Sequence, residues 1–327
     1  MNLLVTGGAG FIGSNLIRLI IDRPGLEKLV DLDALTYAGN LQNLDGIHDR
    51  HPRYVFEHAD LRDAAAVQRV VTDHGITHVI HLAAETHVDR SIESAGIFME
   101  TNVLGTLHLL NACRDFWPGA AGRFIHVSTD EVYGSLGPAD PPFTEESPLL
   151  PNSPYAASKA AADCLVRSYV KTHGFPALIT RCCNNYGPNQ HSEKFIPTVL
   201  NCLRDHRPIP VYGDGLNVRE WIHVSDHAEA LWMALEKGTI GEVYNIGTGE
   251  ERTNLNILRQ LTANADELRG LDYRSSFQQV SFIEDRAGHD FRYAVVASKI
   301  GSHLDWSPAV SLADGLKQMA ATAVGRC

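Results

Sequence analysis

Short apolar strands alternate with amphipathic helices through the first 182 residues, and this predicts an α/β fold: a doubly wound parallel sheet with a smaller C-terminal lobe. Two more observations point the same way. A glycine turn, Gly7-Gly8-Ala9-Gly10-Phe11-Ile12-Gly13, joins the first strand to the first helix, and proline and glycine punctuation breaks the alternation after Tyr186-Gly187-Pro188.

Apolar runs place strands at 2–6, 28–32, 53–57, 77–82, 123–128 and 176–182, and helical patterns fall at 11–22, 62–74, 95–115 and 154–173. Parallel neighbours need crossover connections, so the alternation reads as a Rossmann-type plan. The segment Gly137-Pro138-Ala139-Asp140-Pro141-Pro142, followed by Pro148, Pro151 and Pro154, cannot be helix interior or central strand and reads as a surface flap. Pro197, Pro208, Pro210 and Gly213-Asp214-Gly215 mark a second lobe, while strand-then-helix patterns return at 221–236 and 242–262. The expected division is therefore discontinuous: 1–180 with 221–252 for the nucleotide-binding Rossmann domain, and 181–220 with 253–327 for the substrate-binding lobe.

The 327 residues suffice for two domains, or for one large domain with an elaborated lobe, and 44% apolar with 20% charged residues is an ordinary globular composition. A net charge of −11 argues against nucleic acid or an anionic membrane as the main partner, while leaving room for a local basic pocket. Strand-like sequence from Asn2 onward leaves no space for a secretory leader, and no apolar run reaches the ~18 residues of a membrane span, so a cytoplasmic location is expected. Six cysteines (Cys113, Cys164, Cys182, Cys183, Cys202, Cys327) form no C-x-x-C and read as reduced, buried thiols. Among the 16 histidines, His78 and His81 face opposite sides of a strand, and His87, His126, His223 and His227 lack paired ligand spacing; no metal is expected.

The glycine turn lies between strand and helix, and Asp33 follows Gly13 by twenty residues at the end of the second strand. Together these make a dinucleotide fingerprint: Gly7, Gly8, Gly10 and Gly13 let backbone N–H groups approach a pyrophosphate at a helix N-terminus. Asp33 can accept from a ribose 2′-hydroxyl and would repel a 2′-phosphate, favouring NAD over NADP, although it can also simply cap a loop. Asp60-Leu61 and Leu82-Ala83-Ala84 end strands where a cofactor's adenine, ribose and phosphate would lie, or pack as ordinary core. Tyr155 and Lys159, four apart, share one helix face. Lowering a phenol from ~10 toward ~7 takes roughly 4 kcal/mol, about what one ammonium ~4 Å away supplies at an effective dielectric of ~20. Asp130 and Glu131 follow Ser128-Thr129 at the end of a strand and suggest proton transfers beyond a single oxidation; the alternative is a pair of helix-capping acids.

Taken together, Thr6–Ser14, Leu35-Thr36-Tyr37-Ala38-Gly39-Asn40, His81–Glu85, His87–Ser91, Ser128–Gly134 and Asn184–Pro188 resemble the extended short-chain dehydrogenases that act on nucleotide sugars, and most closely the dTDP-glucose 4,6-dehydratase family. The resemblance covers essentially the whole chain. It implies NAD as cofactor, a dTDP-hexose as substrate and a homodimer formed through the helices at 95–115 and 154–173. Tyr155, supported by Lys159, would take the C4 hydroxyl proton as hydride passes to NAD, and Thr129 would bond the C4 oxygen. Glu131 would remove the C5 proton, Asp130 would protonate the departing C6 hydroxyl, and the hydride would return to C6. By position, Phe11, Ile12, Asp33, Thr36, Asp60, Leu61, Ala83, Ala84, Thr101 and Asn184 match the cofactor side. Thr86, Asn185, Glu193, Lys194, Pro210, Tyr212, Arg219, Asn254, Arg286 and His289 match the sugar-nucleotide side, with Arg219 and Arg286 as a diphosphate clamp. Thr86 stands where Ser is usual and Ala287 where Pro is usual. The competing readings are a sugar-nucleotide 4-epimerase, a dehydratase acting on another nucleotide hexose, and a non-catalytic NAD-binding protein.

Overall fold

Leu3-Leu4-Val5 and Leu29-Val30-Asp31-Leu32 are buried on both faces, as strands must be when helices cover both sides of a parallel sheet. The computed structural model describes residues 1–324 except 118, 120, 286 and 287, so Arg286, Ala287 and Cys327 lie outside the described residues. In chain order the first half contains β1 (Asn2–Thr6), α1 (Phe11–Ile20), β2 (Lys28–Asp33), β3 (Tyr54–His58), α2 (Ala64–Asp73), β4 (His78–His81), α3 (Val88–Glu93), α4 (Ala95–Phe98), α5 (Gly105–Phe116), β5 (Arg123–Thr129), α6 (Pro154–His173) and β6 (Ala177–Cys182). There follow β7 (Asn184–Tyr186), α7 (Phe195–Arg204), β8 (Ile209–Tyr212), β9 (Val218–His223), α8 (Val224–Lys237), β10 (Val243–Ile246), β11 (Glu251–Thr253), α9 (Asn254–Arg269), β12 (Val280–Ile283), α10 (Ser298–Leu304) and α11 (Leu312–Val324).

Among the described residues, seven strands pair in the order β3-β2-β1-β4-β5-β6-β10, each neighbour parallel. This is the Rossmann-type doubly wound sheet that the alternation predicts. Strand order reverses between β1 and β4, and the crevice beyond the strands' carboxyl ends at that point is where such folds take ligands. One face of the sheet packs on Leu16, Ile17 and Ile20 of α1 and Leu231 and Trp232 of α8, the other on Val67 and Val70 of α2, Leu109 of α5 and Val166 of α6. A third core joins α7, α9 and α11 through Leu200, Leu261 and Leu316. Among the described residues no helix is long and apolar enough to cross a membrane.

The chain returns to the large sheet late. β10 forms its edge, and Ile300, Leu304 and Trp306, from and after α10, join the core under α1 and α8. By contrast β9 pairs with β7 and β11 in a separate three-stranded sheet, and β8 pairs with β12.

Two expectations need correction. The stretch read as a single helix over 95–115 is α4, a π-helical turn over Met99–Leu104, then α5. The wider turn leaves Thr101 on the cleft while Asn102 bonds Ser158 and the backbone of Glu85, a tertiary demand that apolar periodicity cannot report. Of the cysteines, Cys164 is exposed, because it lies on the outer side of α6, whereas Cys113, Cys182, Cys183 and Cys202 are buried.

The Pro-rich segment after β5 is fastened rather than loose. Leu136 and Phe143 bridge to Arg292 and Val295, and Arg292 donates to Asp140 O at 2.6 Å while pairing with Glu251. The segment leads into α6, which Ser153 caps by accepting Ala156 N–H at 3.1 Å, with Pro154 in the first turn and Gly174 left-handed at the far end. Ser153→Ala should therefore cost roughly 1 kcal/mol, read as a lower denaturation midpoint with unchanged slope; an unchanged midpoint would show that the cap does not hold the helix.

Candidate active site

Strand β5 ends at the carboxyl edge of the sheet, and Asp130–Tyr133 continue as one turn of 3-10 helix. Thr129 starts that turn: its Oγ1 accepts Glu131 N–H at 3.2 Å and donates to Asp130 Oδ1 at 3.2 Å. The two acids meet different surroundings. Asp130 is buried, and its Oδ2 has no hydrogen-bond partner among the described residues. Burial, then the charges of Glu131 and Glu220, push its carboxyl well above the usual carboxylate range. Glu131 is half-buried on the cleft wall.

Helix α6 brings Tyr155 and Lys159 to the same cleft. The Lys159 ammonium donates to Val127 O at 2.9 Å; burial lowers it to about 8, against the charge of Asp163. Burial and the charge of Glu131 push the Tyr155 phenol well above its ordinary value, and a hydrogen bond with Thr129 only partly opposes them. The expected lowering of the phenol by Lys159 is thus not the resting state, because the ammonium is directed at the β5 carbonyl.

The glycine turn gives a cradle that side chains would fill. A Cβ at Gly13 would overlap Gly7 O, and one at Gly7 would come within 2.9 Å of Ala83. Asp33 sits behind the turn, accepting Ala9 N–H at 3.0 Å and Leu35 N–H at 2.8 Å, the latter from a residue held at a φ of 47°. Carboxylate oxygens keep further acceptor capacity after one bond each, so Asp33 can still take a ribose hydroxyl. Glycine cradle, helix N-terminus and terminal acid fit a dinucleotide.

One continuous cleft runs over both sets of residues. Its lining includes Gly7, Gly10, Phe11, Ile12, Gly13, Asp33, Thr36, Asp60, Leu61, Leu82, Ala83, Ala84, Thr101 and Asn184 of the cofactor set. It also includes Thr129, Asp130, Glu131, Tyr155 and Lys159, with Thr86, Asn185, Glu193 and Lys194 of the substrate set. Gly8 lies beneath the turn, its N–H bound to Asp31. Lys194 donates to Thr86 O at 3.1 Å, and Glu193 lies within 3.6 Å of His87, Arg90 and His191.

The remaining substrate residues lie outside that lining, on β8 and β9, at the start of α9 and at His289, and Arg219 still feels the charges of Glu131 and Asp130. Pro210 and Tyr212 are on β8, and the Tyr212 ring is 6.5 Å from that of His289, whose Nδ1 is 2.7 Å from Asp285. Arg219 is buried over the Tyr293 ring and donates to the carbonyls of Val218, Asp290 and Phe291. Asn254 opens α9, its N–H on Asn217 O.

Sequence reasoning missed the buried support behind Lys159. Asp163, one turn on, accepts Arg181 Nε–H at 2.8 Å and lies 3.4 Å from His126 Nε2. Burial would raise Asp163, but the His126 bond and the Arg181 charge outweigh it and hold the carboxyl below its usual value. The four-residue spacing from Lys159 was the available signal.

Fold and site together define an extended short-chain dehydrogenase with an added acid pair. The model of the family described as GDP-mannose 4,6 dehydratase matches residues 4–319. A dTDP-glucose 4,6-dehydratase from Neisseria meningitidis serogroup B is 46% identical over 325 residues, 97% of this chain and 91% of that protein. The structure of DesIV, a dTDP-glucose 4,6-dehydratase from Streptomyces venezuelae solved with NAD bound, gives a TM-score of 0.90 at 47% identity, covering 98% of this chain and 96% of that one. A Thermus thermophilus UDP-glucose 4-epimerase in complex with NAD gives 0.87 at 31% identity over 100% of both chains. The chain belongs to the GDP-mannose 4,6 dehydratase family, on its dTDP-glucose 4,6-dehydratase branch.

A carboxyl raised on folding binds its proton more tightly in the native state, so Asp130 lowers native stability progressively as pH rises above ~4. Asp130→Asn should therefore gain stability over the parent protein as pH increases, and its infrared difference spectrum at neutral pH should show a protonated carboxyl. A carboxylate band there would place charge on Asp130.

Proposed function

We propose that the chain is an NAD-dependent dTDP-glucose 4,6-dehydratase that forms dTDP-4-keto-6-deoxyglucose and water. The observation that carries this reading is the unequal acid pair: a buried Asp130 with its pKa raised, next to a Glu131 that reaches the cleft. A buried carboxyl that holds its proton, beside a second carboxyl on the cleft wall, gives one site an acid and a candidate base.

When bound, the dinucleotide would supply a two-electron acceptor for C4, a positive charge beside the phenol, and the same two electrons back at C6. The protein does the rest. Tyr155 takes the C4 hydroxyl proton, with the Lys159 ammonium favouring the phenolate, and Thr129 bonds the C4 oxygen as charge develops there. The C4 ketone acidifies C5–H, which Glu131 removes. Asp130, already protonated, donates to the C6 hydroxyl as it leaves as water. Burial thus favours Asp130 as donor, since the neutral acid is the form that burial favours.

Gly7, Gly8, Gly10, Phe11, Ile12, Gly13, Asp33, Thr36, Asp60, Leu61, Leu82, Ala83, Ala84, Thr101 and Asn184 would seat the cofactor; Thr86, Asn185, Glu193 and Lys194 would hold the sugar. Pro210, Tyr212, Arg219, Asn254 and His289 would form the nucleotide side with Arg286. To meet a diphosphate, Arg219 would exchange the carbonyls of Asp290 and Phe291 for phosphate oxygens, an exchange that charge-assisted bonding favours. The division into a discontinuous Rossmann domain and a sugar-nucleotide lobe, and a cytoplasmic location, belong to the same proposal. So does a homodimer, for which Ile92, Met99 and Leu104 (46, 39 and 48% exposed) offer an apolar face beside α5 and α6.

Mass spectrometry of the product from dTDP-glucose should show the loss of water; an isomer of unchanged mass would make the protein an epimerase. Parallel assays with UDP-, GDP- and CDP-glucose test the base. Glu131→Gln should bind NAD normally and fail to incorporate solvent deuterium at C5, and normal incorporation would remove Glu131 as the base. Tyr155→Phe should lose about 10²–10⁴-fold in kcat, and sedimentation as a monomer would remove the homodimer.

A further inference from the structure

Asp31 lies two residues before Asp33 on β2, so both side chains leave the same face of the strand toward the glycine turn. Asp31 Oδ1 accepts Gly8 N–H at 2.9 Å, as Asp33 Oδ2 accepts Ala9 N–H at 3.0 Å, giving successive amides of the turn successive carboxyls as seats. The other Asp31 oxygen accepts the buried Tyr54 hydroxyl from β3 at 2.7 Å. The fit is close, since a Cβ at Gly8 would overlap Asp31 Oδ1. Asp31 is fully buried and outside the cleft lining, so it acts on a ligand only through the turn.

We propose that Asp31 is a positioning residue for dinucleotide binding: it holds the glycine turn from below in register with Asp33, and its proton sets the negative charge beneath the pyrophosphate. The inference rests on the NAD reading of the same site. Burial pushes the Asp31 carboxyl up to about 7; the Tyr54 bond opposes this, Asp33 adds to it, and the Gly8 bond opposes it. Tyr54 on β3 is itself held neutral by burial and by Asp31, and so remains a donor. The strand neighbours in register, Val5 and Phe56, are apolar. A carboxyl raised on folding favours the native state less as pH rises from ~4 to ~7 and then levels off. A pyrophosphate above it disfavours its charge further, so NAD should bind more weakly as pH rises above ~7, where Asp31 of the free protein ionises.

Asp31→Asn keeps an oxygen for Gly8 N–H and has nothing to titrate. Calorimetric titration with NAD at about pH 6 and about pH 8.5 should show the parent protein weakening several-fold at the higher pH and Asp31→Asn weakening markedly less. Asp31→Ala should bind about tenfold more weakly at both, the loss expected for an unpaired buried amide. An Asp31→Asn variant with the parent's pH slope, or an Asp31→Ala variant with the parent's affinity, overturns the inference and leaves the NAD reading intact; a parent protein that binds no NAD overturns both. Thermal unfolding without NAD gives an independent reading: the advantage of Asp31→Asn should grow between about pH 5 and about pH 8, and a constant difference overturns the titration.

Discussion

Lys159, Asp163, Arg181, Asp130 and Glu220 are all buried around the carboxyl end of β5, and keeping these charges out of water is the constraint on which the site depends. An uncompensated buried charge costs several kcal/mol, so each group has to be paired, hydrogen-bonded or neutralised. Asp163 is paired with Arg181 and faces His126. Lys159 is bonded to Val127 O and feels the Asp163 charge. Glu220 accepts the amides of Gly249 and Val295 at 2.8 and 2.9 Å. For Asp130 burial and the charges of Glu131 and Glu220 outweigh the charge of Arg219, and protonation is the remaining way to be neutral. The physics that makes a charge on Asp130 expensive also favours the proton-donor role proposed for it.

The same desolvation works against Tyr155. In the proposed role of base its phenol would have to lose a proton, yet burial and Glu131 raise it. The Tyr-x-x-x-Lys spacing correctly brings both groups to the cleft, but the ammonium spends its resting hydrogen bond on the β5 backbone. A base that is neutral at rest and ionises only beside added positive charge is one that waits for its ligands. The Asp31 carboxyl follows the same rule on the other side of the cleft, where burial again sets the proton and a backbone turn transmits the effect.

What could be read from the sequence was local. The span of α6 follows from Ser153, Pro154 and Gly174, whose capping chemistry acts within a turn of the helix ends. The glycine turn and Asp33 were legible because strand, turn and helix are consecutive in the chain. Positions that depend on distant partners were not. Nothing near β9 announces that it pairs with β7 and β11 and not with the large sheet, and nothing near Ile300 announces that α10 returns to the core beneath α1. The family resemblance implies Arg219 as a phosphate ligand, while its tie to the carbonyls of Asp290 and Phe291 joins residues about seventy positions apart. Asp31 escaped for a different reason: an acid inside an apolar strand looks like an exception to packing until its partner amide is seen.

The support behind the acids also fixes their position. Arg181 donates to the Tyr133 hydroxyl at 2.8 Å, and that hydroxyl donates to Asn245 Oδ1 at 2.8 Å. Tyr133 closes the 3-10 turn that Thr129 opens, so the turn carrying Asp130 and Glu131 is held at both ends. Because Arg181 also binds Asp163 on α6, the helix that carries Tyr155 and Lys159 shares one buried polar frame with the acid turn. Asn245 extends the frame outward, donating its backbone N–H to Glu145 in the Pro-rich segment over the site at 2.9 Å. A buried network linked in this way has few alternative arrangements. Its geometric effect is that the turn carrying Asp130 and Glu131 and the helix carrying Tyr155 are held relative to one another by side chains outside the cleft lining.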